Sequence, residues 1–335
     1  MSVRQFSLLL LTLWYGVAVH AQPVELRFFS ASPPRSPYNT KVLEPWVKEI
    51  NEAGKGRVQI QFSAGFALAS QQNIYDRVTT NVVPMGWGIQ SFFPGKFPKS
   101  EVPQLPLIYE SAKEGSEAFW TVYKSGLLDD EYKDVKLLTV FAFPQNQLHA
   151  TQPIRSLADL KGMKVGAFGT LRMKLVSAMG ATPIAVPPPK LYESMNRGVI
   201  TGMVMGYSAF PAYKLQEVTK YHLDVPVGGQ PGMVFMNKQV WNKLPKAVKD
   251  IIDAHSGEKL MRLWAQTADA QVGFGRGLTR KAKNQTFSSI SVEDRAEWTR
   301  RFEPVYAEWS NTTPKGDQVL STFRAAIARQ AGAGK

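Results

Sequence analysis

The sequence predicts an α/β chain built as two similar lobes, and three observations carry that prediction. Runs with strand and helix character alternate as βαβαβ from Val24 to Gly88 and again from Met163 to Met205. A proline-rich spacer separates the two units, and extended apolar runs at Val135–Phe143 and Gly232–Asn237 are placed to cross between lobes. The chain of 335 residues is long enough for two domains of ordinary size, and its 44% hydrophobic and 20% charged residues suit a folded globular protein rather than a disordered one.

Taken in order, Val24–Ser30 reads as the first strand, followed by a loop with Ser32-Pro-Pro-Arg-Ser-Pro37. Leu43, Trp46, Val47 and Ile50 recur at helical spacing, and Gly54 and Gly56 end that helix. Arg57–Phe62 alternates apolar and polar as a strand does; Ile74, Val78 and Val82 mark a helix; Val83–Gly88 is the third strand. A helix is expected near Ser111–Lys124. In the second unit, strands at Met163–Ala167, Thr182–Val186 and Ile200–Met205 alternate with helices at Leu171–Met179 and Lys190–Arg197. Pro245 opens a long helical region running past Lys281, with Gly257, Gly273, Gly275 and Gly277 as places where it bends or breaks. Ser291 and Asp294 have the spacing of a capping box ahead of an apolar face at Trp298, Phe302, Val305 and Trp309. The tail 330–335 is expected to fray.

Residues 1–21 read as a secretory signal peptide. Arg4 precedes an apolar run from Leu8 to Val19, and Val19-His20-Ala21 offers small residues at the cleavage positions before Gln22. The run is shorter than the roughly 20 residues of a spanning helix. A periplasmic mature chain is the consequence. The net charge is +13, and Arg4 is the only charge in the leader, which leaves +12 on the mature chain. The basic residues are dispersed, so they read as a solvated surface that attracts anionic solutes or an acidic partner face, not as a nucleic-acid site. There are no cysteines, hence no disulfides, thiolate metal sites or cysteine nucleophile.

Enzymatic signatures are missing. The histidines are His20, His149, His222 and His255, with no metal-ligand spacing among them. There is no Gly-x-Ser-x-Gly elbow and no phosphate loop, and Gly273-Phe-Gly-Arg-Gly277 lies within a helical region. No catalytic residue, metal or cofactor is expected.

Four segments share an order with a known family. They are Gly180-Ala-Thr-Pro-Ile-Ala-Val-Pro-Pro-Pro-Lys-Leu-Tyr-Glu-Ser-Met-Asn-Arg-Gly-Val-Ile-Thr-Gly202, the run Pro94–Pro106, the run Ser156–Val165, and Gly228–Leu244 with its Asn237-Lys-Gln-Val-Trp-Asn-Lys-Leu-Pro245 continuation. Together they resemble the solute-binding proteins of TRAP transporters, the DctP-like family, over nearly the whole mature chain. The resemblance implies a two-lobed periplasmic binding protein fold with a ligand cleft between lobes and a long helix spanning both. It places residues 22–145 and 230–262 in the first lobe and 146–229 and 263–329 in the second. It implies capture of a small organic acid and delivery to TRAP-type membrane permease subunits, with a periplasmic sensor as the alternative and an enzyme as a more remote one.

Open α/β sheets bind ligands beyond the carboxyl ends of their strands. Trp87, Phe168 and Tyr207 stand at such ends and would wall a cleft for an aromatic or apolar-bodied solute. Gln90, Gln71 and Ser208 are polar neighbours. Family members often carry an arginine at the position of Gly166, where it pairs with the ligand carboxylate, and an aspartate at that of Thr201. With Gly166 lacking a guanidinium, Arg172 in the next helix and Arg35 in the first loop are the candidate replacements, and a non-acidic solute is the alternative.

Overall fold

The computed structural model describes residues 22–333, so the expected signal peptide and the last two residues of the tail lie outside it. Eleven strands form two sheets. In chain order the first seven are β1 (Val24–Ser30), β2 (Val58–Ala64), β3 (Met85–Ile89), β4 (Val135–Ala142), β5 (Gln147–Ala150), β6 (Lys164–Ala167) and β7 (Thr182–Ala185). The rest are β8 (Gly202–Met205), β9 (Tyr221–Asp224), β10 (Pro231–Asn237) and β11 (Thr286–Ser289). One sheet has the order β2-β1-β3-β10-β4, the other β11-β9-β5-β8-β6-β7.

The two expected βαβαβ units are both present and wound alike. In each, the first strand sits between the second and third, all parallel, and an antiparallel strand follows the third: β10 beside β3, and β5 beside β8. That antiparallel strand comes from outside the unit. The chain leaves the first sheet through β4, enters the second through β5, and returns from β9 to β10. The two passages run side by side. Phe143 N donates to Gln230 O at 2.8 Å, Asn146 N to Gly228 O at 3.1 Å, and Val227 N to Asn146 O at 2.8 Å. Glycine is required here by space: a Cβ on Gly228 (φ +66°) would lie 2.0 Å from Gln104 O, and one on Gly229 1.7 Å from the Tyr109 hydroxyl.

Strand boundaries agree with the alternation in the sequence to within a few residues. The strands β5, β9 and β11 are unanticipated; each is a four-residue strand made by its pairing, β5 and β9 with each other and β11 with β9. The long helical region after Pro245 is two helices, Lys246–His255 and Gly257–Lys281, broken at Ser256, where Gly257 takes φ +64°. The glycines at 273, 275 and 277 do not break it. The capping box at Ser291 and Asp294 is formed, with Asp294 N on Ser291 Oγ at 3.0 Å and the return bond at 3.3 Å. Residues 330–333, expected to fray, continue the last helix, Gly316–Ala333. That helix packs on Ala112–Lys124 beside the first sheet, with Gln330 Nε2 donating to Glu114 O at 3.2 Å and Phe323 against Tyr109.

Gly257–Lys281 touches both halves. Near its start Trp264 is fully buried against the first sheet, stacked on Phe141 with ring centroids 3.9 Å apart. In the middle, Asp269 accepts the backbone N–H groups of Ala112 and Lys113 at 2.7 and 3.0 Å, capping the helix Ala112–Lys124. Two turns on, the helix lies against the backbone of Tyr207 in the second half, where a Cβ on Gly275 would sit 1.9 Å from Tyr207 O.

That contact reverses an ordinary rule. Alanine replacing a mid-helix glycine normally stabilises by up to about 1 kcal/mol. Gly273 has nothing within 4 Å of its would-be Cβ, so Gly273→Ala should raise the urea midpoint. Gly275→Ala, two residues away on the same helix, should lower it, by about 1–3 kcal/mol of overpacking. Equal shifts for the two variants would show that the helix does not seat on Tyr207.

Candidate ligand-binding site

The two halves meet where β3 and β6 end. Phe92, just past β3, packs edge-on against Phe168, just past β6, with centroids 4.9 Å apart. Gly169, at φ +95°, brings the start of the helix Thr170–Ala178 close to Ser91; its would-be Cβ lies 3.6 Å from Ser91 O. Arg172 projects from the first turn of that helix into this junction and is 4% exposed.

Arg172 is a buried cation without an anion. Among the described residues it enters no ion pair. Its partner is the side-chain amide of Gln230, which sits between Arg172 and Ser91. With the amide turned to suit both neighbours, Oε1 accepts from Arg172 Nη1 and Nη2 at 3.0 Å each, and Nε2 donates to Ser91 Oγ. Burial disfavours the charged form and pulls the guanidinium's pKa down to about 10. Arginine therefore stays charged at neutral pH, and the desolvation cost of the unpaired charge remains in the structure. Lys174, two residues on and on the opposite side of the helix, is spent on Glu308 at 2.6 Å.

Beside the junction the first half presents an aromatic cluster. Tyr38 stacks on Trp264 (5.2 Å, 9°) and meets Phe143 edge-on at 5.3 Å. Trp87 lies 5.0 Å from Trp264. Two polar atoms in this cluster are buried with no hydrogen-bond partner, the Tyr38 hydroxyl and Trp264 Nε1. Burial raises the Tyr38 pKa above the ordinary phenol range. Ser208 of the second half faces that hydroxyl closely enough to moderate the rise, though not in hydrogen-bond geometry. Tyr109 runs beneath, its hydroxyl donating to Phe143 O at 2.6 Å.

The nine residues singled out in the sequence fall into five places. Arg172, Phe168 and Ser208 stand at the junction, and Trp87 lines the aromatic cluster with its indole N–H already donated to Ser30 Oγ at 2.7 Å. Gln90 and Gln71 are engaged within the first half: Gln90 Nε2 donates to the Tyr132 hydroxyl at 2.9 Å and Gln71 Nε2 to Ala31 O at 3.1 Å, while both side-chain carbonyls are buried without a donor. Tyr207 lies inside the second half, 1% exposed, against His149, Phe210 and His222, with its hydroxyl on Asp224 Oδ1 at 3.2 Å. Gly166 faces that same interior, where a Cβ would lie 2.5 Å from Ile200 Cδ1, so a side chain there would enter the packed layer. Arg35 is solvent-exposed on the first loop. Sequence reasoning passed over Tyr38, Ser91, Phe143, Gln230 and Trp264. Gln230 had one signal, its place in Gly228-Gly-Gln-Pro-Gly232 at a strand start; the others become neighbours only through the fold.

Two open surface hollows, of about 500 and 540 Å³, lie away from this junction, one along Glu44, Asn51 and Phe62, the other along Met173, Lys174 and Glu308. They lack the buried charge and unpartnered polar atoms of the junction. Among the described residues no cluster of His, Asp and Glu is arranged to hold a metal ion, and no helix is long and apolar enough to cross a membrane.

Comparison with known proteins identifies the family. A TRAP solute-binding protein from an unidentified marine microbe, described as specific for aromatic acid ligands and crystallised with 3-hydroxybenzoate, is 28% identical, with 92% of this chain and 99% of that one covered at a TM-score of 0.86. One from Rhodoferax ferrireducens with copurified benzoate is 26% identical, covering 93% and 100%, also at 0.86. A periplasmic one from Bordetella bronchiseptica with bound (R)- and (S)-mandelate is 25% identical, covering 92% and 100%, at 0.84. The family model for the bacterial extracellular solute-binding protein, family 7, DctP, matches residues 29–312, and the chain belongs to that family.

Proposed function

We propose that this chain is the periplasmic receptor of a TRAP-type transporter for an aromatic monocarboxylate, which it binds between its halves, releases unchanged and hands to membrane permease subunits. The observation that carries the ligand class is Arg172, a buried guanidinium that meets no carboxylate among the described residues. A planar fork of donors in a desolvated site is matched by a carboxylate, which can take two parallel hydrogen bonds. Tyr38 and Phe143, half-buried over the fully buried Trp264, provide flat apolar surface for a ring, and the unpartnered Tyr38 hydroxyl is a donor a polar substituent can use. The aromatic acids bound by the three relatives have this same build, one carboxylate on a ring-bearing body.

Arg172 takes over the task that the family gives to an arginine at the position of Gly166. The substitution is coherent in packing terms, since Gly166 lies over Ile200 and Leu191 with no room for a side chain. A ligand that joins Arg172 to the aromatic cluster contacts both halves at once and so favours their closed arrangement by its extra contacts there.

A thermal-shift series with benzoate and benzamide tests this reading. Benzoate should raise the melting temperature in a concentration-dependent way, and benzamide much less. Equal shifts, or none with benzoate, contradict it. Arg172→Met should weaken benzoate by about a hundredfold or more, the loss expected when one partner of a buried charge pair is removed. The same variant should leave ligand-free stability unchanged or higher, by up to about 4 kcal/mol, because a buried charge is replaced by an apolar chain of similar length. A destabilised ligand-free variant with intact benzoate binding would make Arg172 a structural residue.

A further inference from the structure

We propose that Gln230 fixes the net charge of the solute this cleft accepts, by aiming the Arg172 guanidinium without neutralising it. The inference rests on the reading of Arg172 as carboxylate anchor. Gln230 occupies the return passage from the second half to the first, immediately before β10, and is 7% exposed. Its backbone is held by the neighbouring passage through Phe143 N. Its side chain has a hydroxyl on one side and a guanidinium on the other. A guanidinium only donates, whereas a serine hydroxyl donates or accepts. One amide orientation therefore satisfies both, with Oε1 on Nη1 and Nη2 and Nε2 on Ser91 Oγ. Two N–H groups converging on one oxygen fix the plane and direction of the fork.

The identity of the residue matters as much as its position. A glutamate at 230 has the same length and would accept the same two hydrogen bonds, but it would cancel the charge. The amide orients and leaves a full positive charge in a desolvated site. A solute with a single negative charge completes the pair. A neutral solute leaves the cation unpaired, and a second negative charge on the solute would gain no guanidinium of its own from Arg172. Gln230 is thus a positioning residue that also acts as a charge filter, one covalent step removed from a site that would prefer neutral solutes.

The experiment is calorimetric titration of benzoate and benzamide into the wild type, Gln230→Glu, Gln230→Leu, Arg172→Met and the Arg172→Met/Gln230→Leu double variant. Gln230→Glu should weaken benzoate by about a hundredfold or more while changing benzamide little, as expected when a buried counter-charge is supplied internally. Its ligand-free melting temperature should rise, since the guanidinium gains an ion pair. Gln230→Leu, which keeps the site's charge and loses only the aim of the fork, should weaken benzoate by about tenfold, one hydrogen-bonding partner's worth. In the Arg172→Met background Gln230→Leu should cost nothing further, because Gln230 acts through Arg172. Equal weakening of benzoate and benzamide in Gln230→Glu would show mere structural damage and overturn the proposal, as would benzoate binding that survives the substitution or additive losses in the double variant. A wild type that binds no benzoate but fails in no other respect would overturn the proposed function, and this inference with it.

Discussion

Everything in this molecule is arranged around two extended segments that pass between the halves side by side, residues 143–146 and 227–230, hydrogen-bonded to each other across the gap. The pairing makes one antiparallel ribbon out of β4–β5 and β9–β10. Each sheet therefore contains a strand delivered by this ribbon, antiparallel beside its third parallel strand. The halves cannot separate, and any rotation of one against the other has to bend the ribbon and the long helix Gly257–Lys281 together. Hinges of this kind absorb the change over a few residues at element ends. The glycines at 228 and 229 are there because Gln104 and Tyr109 press against the backbone, so the ribbon is thin and closely supported at the place where it crosses.

The proposed binding site is built off the same ribbon. Gln230 and Phe143, opposite one another across it, face the two kinds of surface that the site combines: Gln230 the guanidinium of Arg172, Phe143 the stacked rings of Tyr38 and Trp264. Charge and apolar surface thus converge on the hinge rather than on the outer rim of the cleft. A solute held there is close to the axis about which the halves move, and contacts with both halves are available without long reach. The cost is visible at the junction and the cluster beside it, where a cation and several polar atoms are buried without full partners. Such unsatisfied groups are expected where function, not stability, sets the residue.

The two βαβαβ units were readable because runs of strand and helix character alternate along the chain, and in the first unit runs such as Arg57–Phe62 and Ile74–Val82 are long enough for the hydrophobic period to show. The shared winding of the sheets follows from that reading and the handedness of βαβ crossovers. The four-residue strands β5, β9 and β11 escaped notice because pairing, not local sequence, makes them strands. Of the two arginines that strand-end and loop position offered as candidates, Arg172 is buried at the junction and Arg35 is exposed to solvent. Tyr207 stands at an equivalent strand end, yet the structure turns it into the second half's interior, onto His149 and Asp224; which way a residue at a strand end faces depends on contacts the sequence does not display. Trp264 and Tyr38, 226 positions apart in the chain, stack in the fold and carry no local signature.

The most direct measurement is a crystal structure of the protein grown with benzoate. The ring is expected against Tyr38 and Phe143, with both carboxylate oxygens within hydrogen-bond distance of the Arg172 guanidinium and Gln230 still behind it. Benzoate bound elsewhere, or seated in the cleft with its carboxylate turned away from Arg172, would contradict the assignment of this buried cation as the solute's anchor.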